Sequence, residues 1–305
     1  MKKKYLILII FFFALLFQDI CEAQTTIWKR KRKEFFFGAG ATNFLGDLGG
    51  ANQIGTNGLK DFDFPAIRTD FIVGYRYRTS RSSSVKVNLI YARLAGNDKY
   101  TKEPYRSNRN CNFKTPVVEL NTQFEYFIGR ERQGHIYNLK KIKGWSYIQI
   151  STYVFAGVGV IYFNPKGKYL NNKWYTLKPL CTEGEGLVTT RKEYSLLQLV
   201  IPFGVGFKFA LNSDWSVGIE YGVRKTFTDY IDDVSKTYFD PYYLTQEKGE
   251  LAKYFANPTN NSLPSFVTAP GQQRGDPTDK DSYMFAFISF YYKIPKGSST
   301  LPKYK

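Results

Sequence analysis

The chain of 305 residues holds a single histidine, three cysteines and two methionines. One histidine cannot build a His-rich metal centre, and any Ser-His-Asp or Cys-His catalyst would depend wholly on His135. Long apolar runs are also scarce. The longest, residues 5–17, falls short of the roughly 20 residues a membrane helix needs, and no other approaches it. Aromatic side chains are abundant, at 18% of the chain. Hydrophobic residues reach 43%, too many for a disordered chain. The length suits one large domain or two ordinary ones.

Lys2, Lys3 and Lys4 precede the apolar run, and Gln18-Asp19-Ile20-Cys21-Glu22-Ala23 ends it. A basic start, a short apolar core and a small residue at the end predict a secretory signal peptide over residues 1–23. Bulky Ile20 before Cys21 argues against a lipoprotein signal. Cleavage after Ala23 removes three lysines and two acids, taking the formal charge from +17 to +16. A basic balance points to nucleic acid, anionic lipid or an acidic partner, and export removes nucleic acid from that list. Of the cysteines only Cys111 and Cys181 then remain, either as one disulfide or as two thiols.

Period-two alternation predicts half-buried strands. Phe71, Val73, Tyr75 and Tyr77 alternate with Asp70, Gly74, Arg76 and Arg78 within residues 68–78. The same dyad recurs at residues 85–91, 118–126 and 217–223. Four further segments, 34–43, 145–163, 196–211 and 282–293, are rich in Gly, Val and aromatics but apolar on both faces in places. Pro202 in the third of these predicts a bulge or a break in the ladder. The connections between these eight strands alternate long and short, with 130–144 long for a turn. That is the layout of an eight-stranded antiparallel transmembrane β-barrel, with long loops outside and short turns and both termini in the periplasm. It divides the chain into a basic segment over 24–33, a barrel over 34–293 and a tail over 294–305. It also puts Cys111 and Cys181 on consecutive long loops of one side, which favours a disulfide between them. An exported β-sandwich shares the alternation, but the strands exceed its usual length and carry Tyr and Phe near their ends.

Eight strands enclose a lumen only wide enough for side chains. Arg68, Asp70, Arg76, Arg78, Lys86, Glu119, Glu125, Lys208, Glu220 and Arg224 fall on the polar face. Opposite charges confined there are expected to pair and plug the barrel. Other basic residues gather on the periplasmic side: Lys29, Arg30, Lys31, Arg32 and Lys33 before the first strand, and Arg130, Arg132, Lys140, Lys141 and Lys143 in the longest turn. They read either as a rim near lipid headgroups or as a docking surface for a periplasmic partner. In loop 228–281 the acids Asp229, Asp232, Asp233, Asp240, Asp276, Asp279 and Asp281 suit a hard cation by chemistry, but match no EF-hand spacing. Turn formation explains most of them.

Three stretches carry a resemblance. They are Gly38-Ala39-Gly40-Ala41-Thr42-Asn43-Phe44-Leu45-Gly46-Asp47-Leu48-Gly49-Gly50, then Thr226-Phe227-Thr228-Asp229-Tyr230-Ile231-Asp232-Asp233-Val234-Ser235, and Arg274-Gly275-Asp276-Pro277 running to Asp281-Ser282-Tyr283. In order and spacing the chain resembles the PorG-type outer-membrane barrels of the type IX secretion system of Bacteroidota. The resemblance implies a non-enzymatic role, with no catalytic residue, metal or cofactor to carry over. Its implied partners are the PorK lipoprotein and PorN, which form a periplasmic ring that the barrel anchors to the outer membrane. One departure is the tail after Tyr292, which makes the terminal aromatic of barrel assembly internal. The competing readings are a transport barrel for small apolar molecules, hinted at by Pro202, and an outer-membrane enzyme, for which His135 in a basic turn is the only base.

Overall fold

The computed structural model describes residues 31–49, 64–128, 150–212 and 214–295. Within them are ten strands: β1 Lys33–Leu45, β2 Arg68–Arg78, β3 Ser83–Asn97, β4 Asn112–Ile128, β5 Ile150–Phe163, β6 Lys166–Lys168, β7 Trp174–Thr176, β8 Leu197–Ala210, β9 Trp215–Thr226 and β10 Ser282–Ile294. Three short α-helices accompany them: α1 Pro104–Arg109, α2 Pro241–Lys248 and α3 Glu250–Ala256. All pairings are antiparallel. Eight strands pair in the ring β1-β2-β3-β4-β5-β8-β9-β10, and β10 returns to β1, so the sheet closes on itself. The remaining two form a hairpin joined to the upper end of β4.

Closure follows from the dyad. In β4 every second residue from Val118 to Ile128 faces outward, and Glu119, Asn121, Gln123, Glu125 and Phe127 between them are buried. The outer surface is an apolar band that includes Val73, Leu89, Leu120, Val158, Leu199, Ile219 and Ile288. Tyr77, Tyr126, Trp215 and Tyr292 ring its turn end, with Trp215 and Tyr292 in contact at 5.0 Å between ring centroids. An apolar band edged by aromatics, on a sheet with no free edge, is what a hydrocarbon layer requires of strands.

The two ends of the barrel differ in how their chain reverses. At the turn end, Ser80 Oγ accepts from the amides of Ser82 and Ser83 at 3.2 and 3.0 Å. Asn212 Oδ1 likewise accepts from Asp214 and Trp215 at 2.9 and 2.7 Å. At the loop end the chain builds a cap. Side-chain caps start two of its helices: Glu103 accepts from the Tyr105 and Arg106 amides, and Asp240 from those of Tyr242 and Tyr243. Strands β3 and β4 extend past the apolar band to the Asn97–Asn112 pair, further than the dyad alone predicts. Pro202 does not break β8. Its pairing with Arg224 of β9 persists, while the ladder to β5 lacks only the pairs at Gly157 and Val158 and resumes in the same register at Gly159–Val200.

Candidate functional site

The lumen is filled by two polar networks. Nearer the turn end, Arg76 lies between two carboxylates, 2.7 Å from Glu125 and 3.3 Å from Glu34. Lys208 Nζ donates to both Glu34 oxygens at 2.6–2.7 Å, and Lys86 Nζ donates to Glu220 at 2.5 Å with Glu125 at 3.4 Å. Tyr153 Oη donates to Glu220 at 2.9 Å, and the Arg76 guanidinium lies 4.4 Å from the Tyr291 ring centroid. Nearer the loop end, Glu119 accepts from Tyr283 Oη at 2.8 Å and from Asn121 at 2.5 Å, with Arg224 at 3.7 Å. Asn88 donates to Asn121 at 2.7 Å, and Asp70 is buried alongside. Every group on this list comes from the inward parity of its strand.

Of the charges expected in the lumen, Arg76, Glu125, Glu220, Lys86 and Lys208 meet in the first network, and Glu119 and Arg224 in the second. Arg68 is a correction. It opens β2 at the loop end, where its guanidinium donates to the carbonyls of Pro65 and Ile67 at 2.9 and 2.6 Å instead of entering the lumen. Parity alone misplaced it, because the barrel wall curves into a loop there. Glu34 is the central acid that the dyad did not single out. It begins a strand whose inward face continues with Phe36, so polar-apolar alternation is lost.

Above the networks lies an apolar plug that includes Phe44, Leu48, Phe113, Phe163, Ile231 and Tyr283. The three resembling stretches converge on it. Asp232 accepts from the amides of Leu48 and Val234 at 2.9 and 3.0 Å. Asp281 accepts from the Ile231 amide at 2.8 Å, and Asp47 from the Asp276 amide at 3.0 Å. Arg274 donates to Glu183 at 2.8 Å and to the Asp233 carbonyl at 2.7 Å. Arg109 binds Asp98 through Nε and Nη2 at 2.8 and 2.9 Å, and reaches the carbonyls of Arg274 and Asp47 at 2.6 and 2.7 Å. Gly275 is required by close approach, since a Cβ there would meet Asp47 Oδ2 at 2.4 Å and the Ser235 amide at 2.7 Å. Asp47, Asp232 and Asp281 are thus turned onto backbone amides, and among the described residues no group of three or more ligand side chains could hold a metal ion.

The cap also corrects the cysteine expectation. Cys111 and Cys181 are both buried free thiols. Cys111 packs with the plug just before β4 begins, its amide bonded to Asp98. Cys181 sits in a left-handed turn with its thiol 3.8 Å from the Lys178 carbonyl, so loop packing holds each apart. Of the expected docking residues, Lys31 pairs with Asp214 at 2.5 Å and Arg32 donates to Tyr77 Oη at 3.3 Å. Lys33 is exposed at the start of β1, so these three stand at the turn end. Lys29, Arg30, Arg130, Arg132, Lys140, Lys141, Lys143 and His135 lie outside the described residues.

Arg76→Met leaves Glu34 and Glu125 short of a counter-ion in a buried site, which costs about 3–5 kcal/mol. Urea unfolding of the barrel in lipid vesicles is expected to show that loss. Part of it returns in the double variant with Glu125→Gln.

The cap responds to pH. Burial pushes the carboxyls of Asp47 up to about 6, Asp229 to about 7 and Glu185 to about 8. The folded cap therefore binds protons that unfolded loops would release. Its cohesion from these groups is complete below their unfolded range near pH 4 and is lost as pH rises through about 6 to 8. Hydrogen exchange over residues 227–281, corrected for the intrinsic rate, is expected to be more protected at pH 5.5 than at pH 8.5. Equal or reversed protection contradicts this.

Comparison with solved structures finds several similar chains. The chain is similar to the attachment invasion locus protein Ail of Yersinia pestis, solved with the heparin analogue sucrose octasulfate, at 9% identity and a TM-score of 0.38 over 86% of this chain and 97% of that one. Neisserial surface protein A is similar at 8% identity and a TM-score of 0.39 over 86% and 97%. The N-terminal β-barrel domain of OprF from Pseudomonas aeruginosa is similar at 8% and 0.30, over 87% and 98%. No curated protein matches the sequence. The model of one family, described as a domain of unknown function, matches residues 5–251, and the chain belongs to that family, DUF6089.

Proposed function

We propose that this protein is a non-enzymatic outer-membrane component of a type IX secretion apparatus. In this reading its turn end faces the periplasm and holds a ring of PorK-like lipoprotein and PorN-like subunits. The observation that carries the reading is the filled lumen. Ion pairs and aromatic side chains occupy the interior at the turn end, and an apolar plug closes the loop end. Such a barrel offers cargo no route, so its contribution to export is to hold other parts in place. The three stretches that resemble PorG-type barrels support the assignment because they form one cap and are not scattered turns. At the opposite end, Lys31, Arg32 and Lys33 begin a basic surface that Lys29, Arg30 and the basic turn at residues 130–144 would extend. Charge there supplies steering and register toward a partner.

A transport role for small apolar molecules rests on the two missing ladder pairs between β5 and β8 near Pro202. Register is the same on both sides of that gap, so the wall there is a weakened seam in a continuous sheet.

A tagged pull-down from gently solubilised outer membranes tests the proposal. PorK-like and PorN-like subunits are expected to co-purify, and charge reversal at Lys29, Arg30, Lys31, Arg32 and Lys33 is expected to release them with the barrel still folded. Recovery of the barrel alone, with those subunits present in the membrane fraction, contradicts the assignment.

A further inference from the structure

The outer wall at the loop end carries a cluster of cations. Lys114 of β4 and Lys166 of β6 are direct cross-strand partners. Like charges placed opposite each other in an antiparallel pair destabilise it. Arg93, on the outward face of β3, and Lys168 are close enough to add to the repulsion on Lys114. Among the described residues none of these four side chains has a carboxylate within 4 Å. The Lys114 ammonium lies 3.9 Å from the centroid of the Trp174 ring, which the β6–β7 hairpin brings opposite Lys168. Beside them a cavity of about 470 Å³ is lined by Lys99, Lys114, Lys168, Tyr169, Trp174 and Tyr254.

The depth of this patch selects its ligand. On β4 the outward residues run Val118, Pro116, Lys114 toward the loop end. Lys114 thus stands two residues, about 7 Å along the strand, beyond the last apolar one. That rise falls within the headgroup layer flanking the hydrocarbon core. On β3 the step from Leu89 and Tyr91 to Arg93 is the same. Leu170 at the hairpin tip is 74% exposed, an apolar side chain left at the edge of the patch. A ligand whose acyl chains lie along the stripe below would present its headgroup to these cations.

We propose that Arg93, Lys114, Lys166 and Lys168, with the Trp174 indole, bind the phosphate of a phosphorylated glycolipid in the leaflet at the loop end. Its charge neutralises the Lys114–Lys166 repulsion, and its sugar packs against Trp174 and the neighbouring tyrosines. The site rests on the orientation under Proposed function, in which the loop end meets the outer leaflet.

The test uses the full mature barrel in nanodiscs with bisphosphorylated or dephosphorylated lipid A. Wild type is expected to bind the phosphorylated form more tightly and to gain thermal stability from it. Lys114→Gln with Lys166→Gln is expected to lose about tenfold in affinity. Without glycolipid the same variant is expected to melt no lower than wild type, because the repulsion is gone. Equal binding of both lipids, equal binding by the variant, or a variant less stable in both conditions overturns the site. Displacement by inorganic phosphate at the glycolipid's own concentration also overturns it, assigning the cations to free phosphate. Leu170→Cys, labelled with an impermeant maleimide on intact cells, reads orientation separately. Unchanged variant binding with labelling refutes the site alone, whereas absence of labelling refutes the orientation.

Discussion

Closing eight strands on themselves leaves a lumen that only side chains can fill, and everything else in this molecule follows from how that space is filled. Within it the Arg76 guanidinium joins Glu34 to Glu125, and Lys208, Lys86 and Glu220 extend the set to groups from β1, β2, β3, β4, β8 and β9. Burying this many ions costs several kcal/mol each unless every one is partnered. The network therefore fixes register. A one-residue slip of any of these six strands would send its charge into the lipid and an outward side chain into the network.

Much of this was legible in the sequence, and the reason is geometric. A strand half in lipid and half in a charged lumen must alternate, so residues 118–126 and 217–223 disclosed both their conformation and their inward faces. Reading failed where alternation stops being the governing constraint. Arg68 has the right parity but sits where the wall becomes loop, and nearby carbonyls hold it. Glu34 is central yet sits in a strand whose inward face turns aromatic after it. The cap was least legible. Arg274 reaches Glu183 across 91 positions, and Asp47 accepts from an amide 229 positions away, so no local pattern records either contact. The cysteines failed for the same reason: sharing a side of the barrel does not place two thiols together. The Lys114–Lys166 pairing depended on a three-residue strand, too short to leave a periodic signal.

The ends of the barrel divide the labour. Among the described residues, the loop end turns Asp47, Asp232 and Asp281 onto its own backbone and carries Arg93, Lys114, Lys166 and Lys168 on its outer wall. At the turn end the described residues form tight Ser and Asn turns, with basic residues at the start of β1. A sealed middle makes communication between the two faces mechanical at most, which suits a fixed anchor better than a conduit.

Single-channel conductance of the purified protein in planar lipid bilayers tests the sealed lumen most directly. The packed network predicts no steady open current across the physiological voltage range. A stable ohmic conductance would contradict it, because a continuous water path cannot coexist with the Arg76, Lys86 and Glu220 contacts.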